Sequence, residues 1–332
     1  MKKTLSMLLA ILMLMVPLAA CGDGGDATEG TTTAAEAEET TAEEPAGKHK
    51  VGILAPAVTH GWSAAVAYHA EAQAEEMSDQ IEYNLYTSGN ADEMTTQLDD
   101  LKTWGAEAIV VFPQWEGMEV PIQQAIEEGI TVVNFDIQID VDGIYHIAGD
   151  NKDMGVQSAK YIVDKIGTEG KVVILDVPTS GSVARLRKEG FTETMADIAP
   201  DMELVEYATQ FTREDGLNDM ADILTSNDHI DAVFSMDDET SIGALQAIAE
   251  AGRTDIKAIT GGGGMQEYFK MMPENEDMWI ASATYSPAMV KEAVIAAVDI
   301  LNGEDVEAVK TIPTTIVDRD NYDDFLDENS PY

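Results

Sequence analysis

Four consecutive glycines, Gly261–Gly264, follow an apolar run and precede a helical pattern in IKAITGGGGMQEYFKMM. A strand, a glycine-rich turn and a helix N-terminus commonly bind phosphate, because backbone N–H groups converge there. The P-loop class also needs a Lys and a Ser or Thr directly after the glycines, and this stretch has neither. We therefore expect a turn whose backbone approaches a ligand closely, with the N–H groups of Gly263 and Gly264 as donors. A loose turn without ligand contact, or one that binds phosphate or carboxylate, stays open.

Other residue types that support catalysis or metal binding are scattered along the chain. No H-x-x-x-H or similar spacing is present, so we expect no metal site. No nucleophile and base form a recognisable set, so we expect neither an enzyme nor a bound cofactor. The five histidines are His49, His60, His69, His146 and His229.

The elements that would position a site alternate between β-branched runs and helical patterns from Lys48 onward. Such alternation with short connections predicts a parallel sheet covered by helices on both faces. The pattern restarts after residue 151, which predicts an α/β fold with two doubly wound units. The predicted strands span residues 49–54, 81–88, 106–113, 130–136, 171–177, 202–209, 230–237, 256–260 and 310–318.

The N-terminal region has the properties of an exported, lipid-anchored protein. Residues 1–20 contain two lysines and a short apolar run, which predicts a signal peptide. Cys21, the only cysteine, follows LAA, where bacterial lipoproteins receive lipid; an ordinary signal peptide with a chance cysteine is the alternative. Residues 21–47 are mostly Thr, Ala, Glu and Gly, which predicts a lipidated, disordered tether.

The charge balance restricts the partners of the chain. With 19 basic and 62 acidic residues the formal net charge is −43, so a basic face for nucleic acid is not expected. Anionic lipids and phosphorylated ligands are disfavoured for the same reason. A single cysteine also excludes an internal disulfide, so the fold must depend on its core.

Three segments resemble the periplasmic binding proteins of the ribose and galactose type, which are solute receptors of ABC sugar importers. These are VGILAPAVTHGWSAAVAYHAEAQAEE, VVNFDIQIDVDGIYHIAGDNKDMG and SGSVARLRKEGFTETMADIAP. The resemblance implies an N-terminal lobe of residues 48–151 plus 286–313 and a C-terminal lobe of residues 152–285 plus 314–332. It also implies a three-stranded hinge, with crossings near Gly149, Tyr285 and Thr314.

The same resemblance suggests which side chains contact a ligand. Asp136 and Arg185 would hold sugar hydroxyls, with a structural cap and an ion pair as the respective alternatives. Arg187 would be structural. Trp62 and Phe211 would stack on the apolar sugar faces, although Trp62 could instead be a core residue.

Five further positions complete the expected site. For some of them, a role without ligand contact is the alternative. His60 is either a polar contact or a surface residue, and Asn90 is either a contact or a turn former. Trp115 could cover the pocket or the hinge. Asp237 matches a family contact position, and Tyr285 lies at a hinge crossing.

Two departures from the family distinguish this chain. Ile137 follows Asp136 where many relatives have Arg, and the run Gly261–Gly264 replaces G-F-D. Because of these two departures, the ligand should present fewer hydroxyls to Ile137 and to the glycine run, be bulkier there, or be another polar small molecule.

Asp238, next to Asp237, is expected to be the N-cap of its helix.

The resemblance implies a monomeric extracytoplasmic lipoprotein that delivers a neutral monosaccharide or polyol to an ABC permease. A sensory receptor of the same fold, presenting its ligand to a chemoreceptor or sensor kinase, is the alternative. A sugar-responsive repressor is excluded by the signal peptide and by the lack of a basic headpiece.

Overall fold

Two six-stranded β-sheets organise the computed structural model, which describes residues 47–58 and 61–332. The predicted signal peptide, Cys21 and most of the predicted tether lie outside the described residues. The first sheet is entirely parallel. Its strands, in spatial order, are Val309–Ile312 (β11), Tyr145–Gly149 (β5), Thr131–Phe135 (β4), Ala108–Val111 (β3), His49–Pro56 (β1) and Ile81–Ser88 (β2).

The second sheet repeats this design with one difference. Its edge strand β12 pairs antiparallel with β10, whereas the other pairs are parallel. The strands, in spatial order, are Ile316–Val317 (β12), Trp279–Ala283 (β10), Ala258–Gly262 (β9), Ala232–Ser235 (β8), Glu169–Asp176 (β6) and Asp201–Ala208 (β7). The predicted α/β class with two doubly wound lobes is confirmed.

Helices cover both faces of each sheet. In the first lobe these are Gly61–Glu76 (α1), Ala91–Trp104 (α2), Glu119–Glu127 (α3) and Val290–Leu301 (α9). In the second lobe they are Asn151–Ile166 (α4), Ser182–Ile198 (α5), Arg213–Ser226 (α6), Asp238–Glu250 (α7) and Gln266–Met271 (α8). Within the described part of the chain, no helix is both long and apolar enough to cross a membrane.

Each sheet has a hydrophobic core on either face because successive strand residues point in opposite directions. In the first lobe, α1 and α9 bury one face, whereas α2 and α3 bury the other. In the second lobe, α4 and α5 cover one face, and α6, α7 and α8 cover the opposite one. The strands are therefore held from both sides, which fixes the position of their carboxyl ends.

The chain passes between the two sheets three times. It does so from β5 to α4, from β10 to α9 and from β11 to β12, so the predicted strand 310–318 is divided at Pro313. The crossings are bonded to one another: Thr284 N donates to Thr315 O at 2.8 Å, and Asp150 N donates to Ile312 O at 3.0 Å. The predicted lobe boundaries remain a proposal, which these three crossings support.

Glycines let α4 and α5 approach each other at backbone distance. A Cβ atom on Gly155 of α4 would overlap the carbonyl oxygen of Arg187 on α5. A Cβ on Gly190 of α5 would likewise overlap the carbonyl oxygen of Lys152 on α4. This contact fixes the rotation of α5 about its axis and therefore the direction of the Arg187 side chain.

Replacing Gly155 with Ala should destabilise the protein. In an open helix Gly→Ala is stabilising by roughly 1 kcal/mol, but overpacking against the α5 backbone should reverse the sign and cost about 1–3 kcal/mol. Urea unfolding followed by circular dichroism measures the difference. Lys160→Ala on the exposed face of α4 is the matched control and should leave the unfolding midpoint nearly unchanged. A Gly155→Ala midpoint at or above that of the wild type would contradict this packing.

Candidate functional site

A cavity of about 820 Å³ lies at the carboxyl ends of strands from both sheets. This is the edge where ligands bind in doubly wound α/β folds. Phe112 and Gln114 follow β3, and Asp136 follows β4 from the first lobe. Phe211 follows β7, and Asp237 follows β8 from the second lobe.

Trp62 forms an aromatic wall of the cavity. It lies in the first turn of α1, and its indole N–H donates to the carbonyl oxygen of Tyr285 at 2.6 Å. Its ring stacks nearly parallel on Phe135 at 6.1 Å and meets the edge of Phe112 at 5.9 Å. Trp62 is therefore oriented by the core and also lines the cavity, which combines the two interpretations allowed by the sequence.

Asp136 adopts a backbone conformation that is uncommon for a residue with a side chain. Its φ of 68° lies in the left-handed region, which Asp tolerates better than most residues. The conformation is held on both sides, because Asp136 N donates to Ile147 O at 3.0 Å and Asp136 O contacts His146 Nε2 at 3.0 Å. The carboxyl group consequently turns from the end of β4 into the cavity.

A chain of four side chains connects the two lobes beneath the cavity. The Tyr285 hydroxyl donates to Asp136 Oδ1, and Asn151 Nδ2 donates to the Tyr285 hydroxyl oxygen at 3.2 Å. Arg187 Nε donates to Asn151 Oδ1 at 2.8 Å, and a second guanidinium nitrogen donates to Met236 O at 2.6 Å. We call Asp136, Tyr285, Asn151 and Arg187 the hinge relay.

Burial alters the protonation equilibria of the hinge relay. It raises the pKa of Asp136, although the Tyr285 hydroxyl and the charge of Arg187 oppose this effect. It also raises the pKa of Tyr285, whose hydroxyl therefore remains a donor at neutral pH. Arg187 is only 6% exposed and lies over the ring of Tyr285 at 5.0 Å, where the aromatic face favours its cation.

The structure reverses the expected roles of two arginines. The Arg185 side chain is 57% exposed, pairs with Glu189 at 2.9 Å and does not line the cavity. Arg187 lines the cavity instead. The reason is helical geometry, since residues two positions apart point in nearly opposite directions. Arg187 is three and four residues before the buried Gly190 and Phe191, and this spacing could have identified the inward face.

Asp237 has the N-cap role that was expected of Asp238, and it also occupies its own expected place in the cavity wall. Asp237 is the N-cap of α7, accepting from Thr240 N at 3.0 Å, and it lines the cavity. Burial raises the pKa of Asp237 to about 6. Asp238 is fully buried behind it and accepts from Ser282 Oγ at 2.8 Å, and burial raises its pKa to about 7.

The glycine run is a folding feature of the cavity wall. Gly263 lines the cavity, but its N–H donates to Ala283 O at 3.1 Å. The N–H of Gly264 donates to Asp238 Oδ2 at 2.9 Å, as does that of Met265 at 2.8 Å. The N–H groups of Gly263 and Gly264 were expected to donate to a ligand, but they already donate to acceptors within the protein. For the same reason the geometry does not favour a phosphate or carboxylate at this turn.

Besides Arg185, two expected site residues that the structure describes, Asn90 and Trp115, do not line the cavity. The Asn90 side chain caps α2 by accepting from Glu93 N at 2.9 Å, as its turn-forming alternative allowed. Trp115 packs against the core under α2 and α3, although its neighbours Gln114 and Glu116 line the cavity. His60 lies outside the described residues.

Charges of both signs line the cavity, with two arginines and four carboxyl side chains. Arg187 faces Asp136 and Asp237, whose carboxyl groups have raised pKa values. Arg213 at the cavity wall is paired with Glu239 at 2.5 Å and with Glu267 at 2.6 Å. Such an arrangement suits an uncharged ligand, since each hydroxyl can accept from a cation and donate to a carboxylate. Among the described residues, no group of three or more potential ligands could hold a metal ion.

Comparisons with known proteins agree with this architecture. Relatives include a xylitol-binding protein of Mycolicibacterium smegmatis, 26% identical over 72% of this chain and 69% of that protein. The ribose import binding protein of Escherichia coli is 28% identical over 74% of this chain and 83% of that protein.

Solved structures show the same fold. A periplasmic solute-binding protein from Actinobacillus succinogenes with bound D-allose superposes with a TM-score of 0.75 at 21% identity, covering 83% of this chain and 100% of that one. A solute-binding protein from Mycobacterium smegmatis with bound glycerol gives 0.73 at 26% identity, covering 86% and 99%. The model of the periplasmic binding protein domain matches residues 51–305. The chain therefore belongs to the periplasmic binding protein family, as its sequence resemblance predicted.

Proposed function

We propose that this protein is a monomeric extracytoplasmic solute-binding lipoprotein that captures a small neutral carbohydrate for an ABC permease. The observation that carries the proposal is the cavity between two lobes, in which the hinge relay meets aromatic walls. Family membership implies the extracytoplasmic location. No chemical reaction is assigned to the site.

The chemistry of the cavity fits a monosaccharide or polyol. Such a molecule has apolar C–H faces, which Trp62 and Phe211 can cover. It also has a rim of hydroxyl groups, each able to donate to Asp136 or Asp237 and to accept from Arg187. A polar group of the site left unpaired after closure costs about 1–3 kcal/mol, so the pattern of hydroxyls determines specificity.

Ile137 narrows the ligand class further. It lines the cavity directly after Asp136, so this side of the site offers an apolar surface beside a carboxyl group. We infer that the ligand turns a C–H edge, or a position without a hydroxyl, towards Ile137. Relatives named for ribose import and xylitol binding favour transport of a sugar or polyol over the sensory alternative.

Closure of the two lobes would complete the binding site. The three crossings join the lobes at one edge, and crossings of this kind act as a hinge in two-lobed receptors. Asp136 comes from the first lobe and Arg187 from the second, so a ligand bound to both side chains favours the closed arrangement.

Ligand binding should depend on Arg187 and not on Arg185. Titration calorimetry with xylitol, D-ribose, D-allose and myo-inositol should detect binding of at least one compound. Arg187→Gln should weaken the tightest of these interactions at least roughly tenfold, because a charged hydrogen bond contributes about 1.5–3 kcal/mol. The control Arg185→Gln, on the same helix but exposed, should change the affinity less than about twofold.

Two results would contradict this site. One is no heat of binding for any of the four compounds, which would refute the proposed ligand class. The other is an affinity that Arg187→Gln leaves unaltered. Circular dichroism and thermal melting of both variants establish that each is folded, and Arg187→Lys provides a second test that retains the charge.

Membrane attachment through Cys21 is part of the same proposal. Metabolic labelling with an alkyne fatty acid should modify the wild-type protein and place it in the membrane fraction. Cys21→Ser should lose the label and leave that fraction, because acyl chains supply about 0.8 kcal/mol per buried CH₂. Equal labelling and equal membrane recovery of both proteins would refute lipidation at this residue.

A further inference from the structure

Tyr332 enters the cavity from a segment that the sequence did not connect with ligand binding. It lies in the stretch that follows β12, residues 318–332, and its side chain is part of the cavity wall. Only 5% of the residue is exposed. Beside it in that wall are Gly263 and Asp237 of the second lobe.

The segment is fastened to the start of α8 mainly by one residue. Gln266 N donates to Tyr332 O at 3.2 Å, and the Gln266 side chain donates to Phe325 O at 3.2 Å. The amide oxygen of Gln266 accepts from Asp327 N at 2.8 Å. Ser330 Oγ also donates to Tyr332 O at 3.1 Å. These bonds hold the backbone of Tyr332 in place without a ligand.

The third glycine of the run makes room for this ring. A Cβ atom on Gly263 would lie 2.6 Å from the Tyr332 hydroxyl oxygen and 3.2 Å from its ring. Gly263 also has a φ of 127°, which residues with side chains rarely adopt. The glycine run thus leaves the space that the Tyr332 ring occupies at the cavity wall.

The hydroxyl group of Tyr332 is available to a ligand. Within residues 47–58 and 61–332, it makes no hydrogen bond to the protein, in contrast to the hydroxyl of Tyr285. Burial and the nearby carboxylates of Asp238 and Asp237 raise the pKa of Tyr332 well above its usual range. The group therefore remains protonated at neutral pH and can both donate and accept.

We propose that Tyr332 is a specificity-determining residue, whose hydroxyl binds one hydroxyl group of the neutral sugar or polyol held in the cavity. This inference rests on the proposed function, since it assigns a further contact to the same site. An aromatic hydroxyl enclosed with the ligand loses its contact with water, so a ligand without the matching hydroxyl leaves it unpaired. Tyr332 would consequently select for one particular hydroxyl position.

Calorimetry with analogues lacking single hydroxyl groups tests the inference. The probe is whichever of xylitol, D-ribose, D-allose and myo-inositol binds the wild type most tightly, together with its monodeoxy analogues. Tyr332→Phe should weaken the binding of the parent compound about three- to tenfold, because one neutral hydrogen bond is lost. One analogue should bind wild type more weakly by a similar factor, and this discrimination should fall below about twofold in Tyr332→Phe.

Tyr322→Phe is the matched control, because Tyr322 belongs to the same segment but packs against the core of the second lobe and does not line the cavity. It should preserve both the affinity and the discrimination among analogues. If Tyr332 had only a structural role, Tyr332→Phe would lower the affinity for every analogue equally and would shift the melting temperature. That result would overturn the inference.

The outcomes separate this inference from the function on which it rests. If the wild type binds a compound of the panel and Tyr332→Phe binds all analogues as the wild type does, only the role of Tyr332 is refuted. If the wild type binds no compound of the panel, the proposed function and the inference fail together.

Discussion

The hinge relay is the interaction on which the geometry of the site depends. It runs from Asp136 at the end of β4 through Tyr285 and Asn151 to Arg187 on α5, and so joins the two lobes. Each member is held by a separate constraint, such as the left-handed backbone of Asp136 or the contact of Arg187 with Met236 O. A buried carboxyl and a buried guanidinium are costly to leave unpaired, and Tyr285 and Asn151 supply the hydrogen bonds between them.

The same relay prepares the cavity for an uncharged ligand. The members of the hinge relay form hydrogen bonds to one another, and three of them, Asp136, Tyr285 and Arg187, also line the cavity. Burial raises the pKa of Asp136 and of Asp237, because it disfavours their charged forms. A neutral hydroxyl compound adds hydrogen bonds without adding a net charge to this partly dehydrated space. A strongly anionic or cationic ligand would have to displace the existing partners.

Much of the fold could be predicted from the alternation of β-branched runs and helical patterns, because the two periods are local properties of the sequence. The same alternation predicted that Asp136 and Asp237 lie at the carboxyl ends of strands. The choice between Arg185 and Arg187 could also have followed from helical spacing, because Arg187 lies four residues before the apolar Phe191 on the buried face of α5. Tyr332 could not be predicted, because its proximity to Gly263 arises only when a remote segment folds back. Asn90 suited both a helix cap and a ligand contact, and residue type alone does not separate them.

A crystal structure of the complex with the tightest-binding sugar or polyol would test the central claim most directly. The account predicts one ligand between the lobes, with hydroxyl groups within about 3.2 Å of both the Asp136 carboxyl and the Arg187 guanidinium group. The aromatic face of Trp62 or Phe211 should lie against its C–H groups. Electron density for the ligand at any other place, with neither Asp136 nor Arg187 in contact, would contradict the account.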